Sequence, residues 1–370
     1  MATSLHVDDG ILAAPSLRHA EQVLGTEGLG RTRRLTWSAL HSTLGVDFNI
    51  EYTPLLRRVF MSQRAFAETI LERANMLDCN AARTPATPGR AYTKADCPIT
   101  DEQKVSLKAQ GLTKKGYHSV TMSLNYLVMI TRPDMLFVQG KMAKYCNNPG
   151  EEHFKIQKHA LRYLKGTLDH GIEFIWRASD PPKSDGVLEI VAWTDSSFAD
   201  DIDTGRTTIG DVMKVNGATV SASSRLSARV DSCVNHSELN AFSAACTSPA
   251  NDELTDGASM ALVRAARTVT WLRGIKAALE RRDVSKMPPT PILVDNAGVI
   301  SMLEGVTLKS ANKHIYKTLA ENRERVNLDK SVVAVKIDTK DNLANAMTKQ
   351  EHGLHCSAAQ LRQIAGPMSA

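Results

Sequence analysis

The succession of elements over residues 188–349 constrains the fold more tightly than any single motif in the chain. Leu188, Ile190, Ala192 and Thr194 alternate with Glu189, Val191, Trp193 and Asp195, the period-two pattern of a strand whose two faces meet different surroundings. Strands around 207–215 and over 218–224 flank Asn216-Gly217, a dipeptide suited to the left-handed conformations of a tight hairpin. A helix from about Ser237, a strand over 291–295, a helix over 309–326, a strand over 331–337 and a helix over 341–349 follow. An antiparallel hairpin succeeded by alternating helices and strands predicts a mixed α/β fold: a mixed five-stranded sheet with flanking helices.

In such a sheet, ligands bind outside the carboxyl ends of the parallel strands. The sequence places Asp195 at the end of the first strand and Asp295 at the end of the apolar run Pro291-Ile-Leu-Val-Asp295, with Glu238 near the start of the helix after the hairpin. Each alone reads as a loop group solvated by water. Their joint order is more specific. Three converging carboxylates would suit magnesium, because hard divalent cations take oxygen ligands and keep waters for chemistry.

A chain of 370 residues exceeds one ordinary core and predicts two or three domains. Hydrophobic content of 42% with 23% charge is that of a globular protein, and no apolar run is long enough to cross a bilayer. The six cysteines (Cys79, Cys97, Cys146, Cys233, Cys246 and Cys356) are scattered, and Met1 opens no secretory leader. Reduced thiols in an intracellular protein, cytoplasmic or nuclear, are expected. The formal charge is +5, with the whole excess in residues 1–186. That bias suits a polyanionic partner and equally suits ordinary solubility.

Ahead of the nuclear sheet pattern, Ser4-Leu-His-Val-Asp-Asp-Gly10 predicts a hairpin whose tip carries Asp8 and Asp9, either a plain turn or part of a metal site. Residues 16–28 read as helix, 44–51 and 58–62 as a strand pair, and Gln63 to Met76 as helix. Three prolines between Arg83 and Pro98 mark a linker, and Pro181-Pro182 a second. Tyr117 to Leu168 reads as three helices, the first two separated at Thr131-Arg-Pro-Asp134. On the third, Phe154, Leu161, Leu164 and Leu168 share one stripe while Lys155, Lys158, Arg162 and Lys165 share its neighbour. Such a helix packs by one side and meets either phosphates or solvent with the other. The boundaries read from the sequence are 1–88, a helical region over 99–178, the sheet-bearing unit over 187–350, and a tail over 351–370.

These segments resemble, in order, the stereotyped blocks of the C-terminal part of copia-type LTR retrotransposon Pol polyproteins. Ser4 to Gly10 resembles the polymerase Tyr-Val-Asp-Asp box, with His6 in place of tyrosine. Leu44-Gly-Val-Asp-Phe48, Met61-Ser-Gln63, Leu124-Asn-Tyr-Leu127, Thr131-Arg-Pro-Asp134 and Leu161-Arg-Tyr-Leu-Lys-Gly-Thr167 follow. Thr194-Asp-Ser-Ser-Phe-Ala-Asp200, Arg206-Thr-Thr-Ile-Gly210, Ser237-Glu-Leu-Asn-Ala-Phe242, Val294-Asp-Asn296, Lys313-His-Ile315 and Leu343 to Lys349 resemble the blocks of its ribonuclease H domain.

The resemblance implies a truncated reverse-transcriptase palm and thumb over 1–88, a connection region over 99–178 and a ribonuclease H-like domain over 187–350. It implies catalytic metal ligands at Asp195, Glu238 and Asp295, a vestigial polymerase box at Asp8 and Asp9, and no primer extension by this chain alone. It further implies hydrolysis of the RNA strand of an RNA–DNA hybrid by two Mg²⁺ ions, with Mn²⁺ able to substitute, alongside upstream reverse-transcriptase segments as partner. Lys155, Lys158, Arg162, Lys165, Ser196 and Asn240 are the candidate nucleic-acid contacts. The chain departs from the family twice. An insertion from Cys246 to roughly Arg264 makes Glu253 a rival to Glu238, and Asn345 stands where a fourth metal-binding aspartate is expected, with Asp341 one turn earlier as its possible substitute. Those departures favour the alternative reading, an inactive remnant that binds nucleic acid without cleaving it.

Overall fold

The computed structural model describes residues 2–6, 9–13, 42–87, 89–180, 188–228, 230–246, 269–305, 316–349 and 357–369. The first strands, β1 (Ala2–His6) and β2 (Asp9–Ala13), pair antiparallel with His6 opposite Asp9. Asp8 and the helix expected over 16–28 lie outside the described residues.

Strands β3 (Ser42–Thr43), β4 (Val46–Tyr52) and β5 (Leu56–Ser62) form an antiparallel meander. Helices α1 (Arg64–Arg73), α2 (Asp101–Ala109), α3 (Lys114–Ile130), α4 (Leu136–Lys144) and α5 (Glu151–Gly166) follow. Strand β6 (His170–Arg177) then returns to pair antiparallel with β5. This strand falls within the span read from the sequence as helical, and it joins that span to the earlier meander. A two-residue strand near the other end of the chain, β12 (Gly366–Pro367), pairs with β6, giving the order β12-β6-β5-β4-β3.

Helix α5 buries Phe154, Leu161 and Leu164 as its apolar spacing requires, and adds His153, Ile156, Gln157, Ala160 and Tyr163. The Thr131-Arg-Pro-Asp134 break is also a buried polar junction. Pro133 opens a 3₁₀ turn, and Arg132 forks onto Asp134 through Nε at 3.0 Å and Nη2 at 2.8 Å. Tyr163 donates to Asp134 at 2.8 Å, and Arg132 reaches the Thr167 carbonyl and hydroxyl at 2.9 and 2.7 Å. Burying this ion pair is tolerable only because its remaining donors and acceptors are filled.

The second sheet is the mixed one expected. It contains β7 (Ile190–Asp201), β8 (Arg206–Val215), β9 (Ala218–Leu226), β10 (Thr290–Val294) and β11 (Val332–Lys336), in the order β11-β10-β7-β8-β9. Strands β7, β8 and β9 are antiparallel neighbours, whereas β10 is parallel to both β7 and β11. Asn216 and Gly217 adopt φ of 50° and 85° in the turn between β8 and β9, the left-handed pair that an Asn-Gly hairpin calls for. The crossovers are α6 (Val234–Cys246), α7 (Val269–Glu280), α8 (Ala297–Glu304) and α9 (Tyr316–Arg323). The segment over 309–315 lies outside the described residues, and the helix expected over 341–349 is a 3₁₀ turn (Thr339–Asp341) followed by the short α10 (Asn345–Thr348). Helix α11 (Ala358–Ile364) leads into β12.

The two faces of this sheet go into different cores. Ile190, Ala192, Met213, Ile292 and Val294 pack with Leu239 and Phe242 of α6 and with Val299 and Leu303 of α8. On the opposite face, Val212, Ala222 and Met347 join the core of the helices α1 and α3–α5, with Trp193 packed against it. Charged groups reinforce that junction: Lys144 pairs with Asp201 and lies 2.7 Å from Asp203, and Lys141 lies 3.0 Å from Asp200.

Removing one member of the Arg132–Asp134 pair strands the other in a dry interior. Asp134→Ala should destabilise the protein by about 3–5 kcal/mol, seen as a lower urea midpoint. A loss below about 1 kcal/mol would show that the junction is not holding the fold.

Candidate metal centre

Asp195 lies inside β7, opposite Gly210 of β8, and the strand runs on to Asp201. The sequence placed it at the strand's end. What ends there is the parallel pairing with β10, whose last rung joins Val294 to Thr194. Asp195 and Asp295 therefore each follow a residue of that last rung, at the carboxyl end of two parallel neighbours. Glu238 comes from the first half of α6, and its position is set by a hydrogen bond between the hydroxyls of Ser196 and Ser237 at 2.8 Å. Ser237 also donates to the Val234 carbonyl at 2.7 Å, which ties the start of α6 to β7.

One oxygen from each of Asp195, Glu238 and Asp295 lies within 4.8 Å of the other two. Asp195 is 1% exposed and Glu238 5%, while Asp295 is half-buried. Glu238 Oε2 has no hydrogen-bond partner among the described residues. Burial, followed by the charges of Asp195 and Asp295, pushes the Glu238 carboxyl up to about 8. Burial also raises Asp195, against the opposing pull of Lys349 and Thr348. A carboxyl group with an orphaned buried oxygen, gathered with two further carboxylates, is the arrangement that fits a divalent cation.

The segment after β11 supplies groups that the sequence did not single out. Thr348 Oγ1 donates to Asp195 Oδ2, and Lys349 Nζ donates to Asp195 Oδ1 at 3.2 Å and to Asn345 Oδ1 at 2.8 Å. Asn342 Nδ2 donates to the Thr194 carbonyl at 2.9 Å. Gly210 makes this approach possible, since a Cβ there would lie 2.5 Å from Met347 Cβ and 2.7 Å from Thr348 Cγ2. Thr348 and Lys349 sit in a block that the sequence did mark, but one sequence carries no signal that a hydroxyl and an ammonium will point at a carboxylate two strands away.

The remaining candidates are placed as follows. Asn345 is fully buried, turns its amide nitrogen to the Thr339 carbonyl, and touches the carboxylates only through Lys349. Asp341 is exposed. Ser196 is buried against Ser237, and Asn240 donates to Asp231 Oδ1 at 2.8 Å. Lys155 is exposed and paired with Glu151 and Glu152 at 2.9 and 2.8 Å, and Arg162 donates to the Asn80 carbonyl at 2.7 Å. Lys158 is exposed and Lys165 half-buried on the same helix. The backbone of Asp9 is described, whereas Glu253 lies outside the described residues.

No family model matches the chain. The retrovirus-related Pol polyprotein from transposon TNT 1-94 of Nicotiana tabacum is 28% identical over 293 residues, 79% of this chain and 19% of its own length. That from transposon RE2 of Arabidopsis thaliana is 25% identical over 310 residues, 84% of this chain and 18% of its own length. The chain thus spans less than a fifth of either relative. Among solved structures, LC11-RNase H1 in complex with an RNA/DNA hybrid is similar at 16% identity and a TM-score of 0.28, covering 44% of this chain and 96% of that one.

The raised Glu238 carboxyl makes stability depend on pH in a definite direction. Its value is 4.5 ordinarily and about 8 in the folded chain, so between those limits the folded state holds a proton that the unfolded state has released. The stabilisation is complete below the lower value and is lost as pH rises through the upper one. Without divalent cations, wild-type Tm should fall from about pH 5 to about pH 9 more steeply than that of Glu238→Gln. Parallel curves would show that Glu238 does not titrate in this window.

Proposed function

We propose that this chain, a homologue of the copia-type retrovirus-related Pol polyproteins of plant transposons, is a ribonuclease H that cuts the RNA strand of RNA–DNA hybrids. The observation that carries the reading is the convergence of Asp195, Glu238 and Asp295, with Glu238 Oε2 buried and unpartnered among the described residues. These three would hold magnesium, or manganese in its place. A divalent ion bound there would supply the charge that acidifies a water and steadies a departing 3′ oxygen.

The chain's own residues prepare that chemistry. Thr348 fixes one oxygen of Asp195, and the Ser196–Ser237 bond fixes the start of the helix that bears Glu238. Burial strips water from the carboxylates, so their charges act at short range and at full strength. A cavity of about 360 Å³ is lined by Ser197, Thr348 and Lys349, by Arg90, Tyr92 and Lys141, and by the acidic Asp200 and Asp201. It adjoins Asp195 through Thr348 and Lys349, and a nucleic-acid backbone reaching the carboxylates would pass there. Hybrid selection needs contacts to ribose 2′-hydroxyls on one strand and phosphates on the other, and Lys158 and Lys165 are the basic-stripe residues we assign to phosphates. Within a longer polyprotein, upstream reverse-transcriptase segments would present the hybrid.

A second reading, binding without cleavage, is favoured by one observation. Asn345 brings no charge to the centre, and Lys349 already neutralises Asp195.

Incubating the whole chain with a labelled hybrid and Mg²⁺ separates the two readings. Cleavage should be detected and should fall at least about a hundredfold in Asp195→Asn, the order of loss when a preorganised charged group leaves an active site. Absence of cleavage by the wild type would favour the binding-only reading, and equal cleavage by both proteins would place the activity elsewhere.

A further inference from the structure

We propose that the ammonium of Lys349 is a built-in cation of this centre, occupying one of the two positions that a pair of divalent ions would take, so that the carboxylates hold a single divalent ion. The proposal rests on reading Asp195, Glu238 and Asp295 as a divalent-metal site.

Lys349 Nζ bridges Asp195 Oδ1 at 3.2 Å and Asn345 Oδ1 at 2.8 Å. The other oxygen of Asp195 accepts from Thr348. Thr348 and Lys349 thus engage both oxygens of Asp195. Lys349 and Asn345 are four residues apart, which puts their side chains next to each other along one turn, and the Lys349 amide donates to the Asn345 carbonyl at 3.0 Å. Asn345 is not free to turn its oxygen elsewhere, because its amide nitrogen is spent on the Thr339 carbonyl. The lysine side chain is 23% exposed, so it is held against the protein along most of its length.

Charge decides what else can enter. Asp195 and Asn345 together offer one carboxylate and one neutral amide, and the Lys349 ammonium already spans them. A divalent ion between Asp195 and Asn345 would meet the ammonium as a like charge in a partly dry site. Glu238 Oε2, by contrast, is buried and has no hydrogen-bond partner among the described residues, and Asp295 adds a further carboxylate within 4.8 Å, so one divalent ion still finds anionic ligands there. The two features are linked in the sequence. Asn345 presents an amide oxygen four residues before Lys349, and such an oxygen accepts from a lysine without adding charge to the site.

The test counts bound ions. Mn²⁺ is titrated into the whole chain and followed by calorimetry and by the electron paramagnetic resonance signal of free Mn²⁺, with circular dichroism confirming that each variant is folded. Wild type should bind one Mn²⁺. Asn345→Asp combined with Lys349→Met should bind two, while Lys349→Arg should stay at one. Lys349→Met alone should tighten the single site on the order of tenfold, the size of shift that one nearby like charge imposes on a charged group. Two ions on the wild type, or an affinity unchanged in Lys349→Met, would overturn the proposal and leave the metal centre standing. No Mn²⁺ on either wild type or the double variant would overturn the metal centre itself and the proposal with it.

Discussion

Three carboxyl groups whose oxygens lie within 4.8 Å of one another repel when ionised, and burial strengthens the repulsion. No local preference of the chain would bring them together, so the rest of the fold must hold them. The parallel pairing of β7 with β10 stops at the rung before Asp195 and Asp295, which brings two of them to one edge. A serine–serine hydrogen bond sets the helix that carries the third. On the other side, a glycine with no room for a methyl group lets α10 close on β8 and deliver Thr348 and Lys349. The centre is strained electrostatically and stiff mechanically, and the stiffness is what makes the strain sustainable.

That stiffness reaches beyond the sheet. Val212, Ala222 and Met347 are buried in the same apolar core as Tyr117, Leu124 and Leu164 of the preceding helices. The end of β7 and the turn after it are acidic at Asp200, Asp201 and Asp203, and Lys141, Lys144 and the Tyr145 hydroxyl close on them from α4 and its end. Against the cost of its partial burial, those hydrogen bonds raise Lys144 above its ordinary value. The far end of the strand that carries Asp195 is therefore anchored in the helical unit.

Much of this was legible in the sequence because it rests on short-range pattern. Alternation over 188–195, the Asn216-Gly217 turn and the apolar run before Asp295 each act within a few residues, and each lies where expected. The convergence of Asp195, Glu238 and Asp295 was readable only because their order on successive elements restricts where they can meet. Strand β6 was missed: Ile172, Phe174 and Trp176 alternate with Glu173 and Arg177, but Ile175 blurs the pattern, and its partner β5 precedes all five helices α1–α5. The end of β7 was misplaced because Asp195, Ser196 and Ser197 look like a loop, and their pairing with β8 comes from the partner strand. Lys349 was missed for a related reason, since its partner on β7 is separated from it by most of the sheet-bearing unit.

Strand β12 changes how the chain is connected in space. Gly366 and Pro367 pair with Gly171 and His170, and Ser369 is held by Glu173 and Arg58. The entire mixed sheet is thus a loop whose two stems are stitched together on a different sheet. If it opens while the stitch holds, it becomes a closed ring of chain and not a loose tail, and a ring has fewer conformations to explore. The entropic cost of closing so long a loop grows only with the logarithm of its length. A few backbone hydrogen bonds far from any carboxylate thereby shrink the disorder available to the part of the molecule that must stay most exactingly arranged.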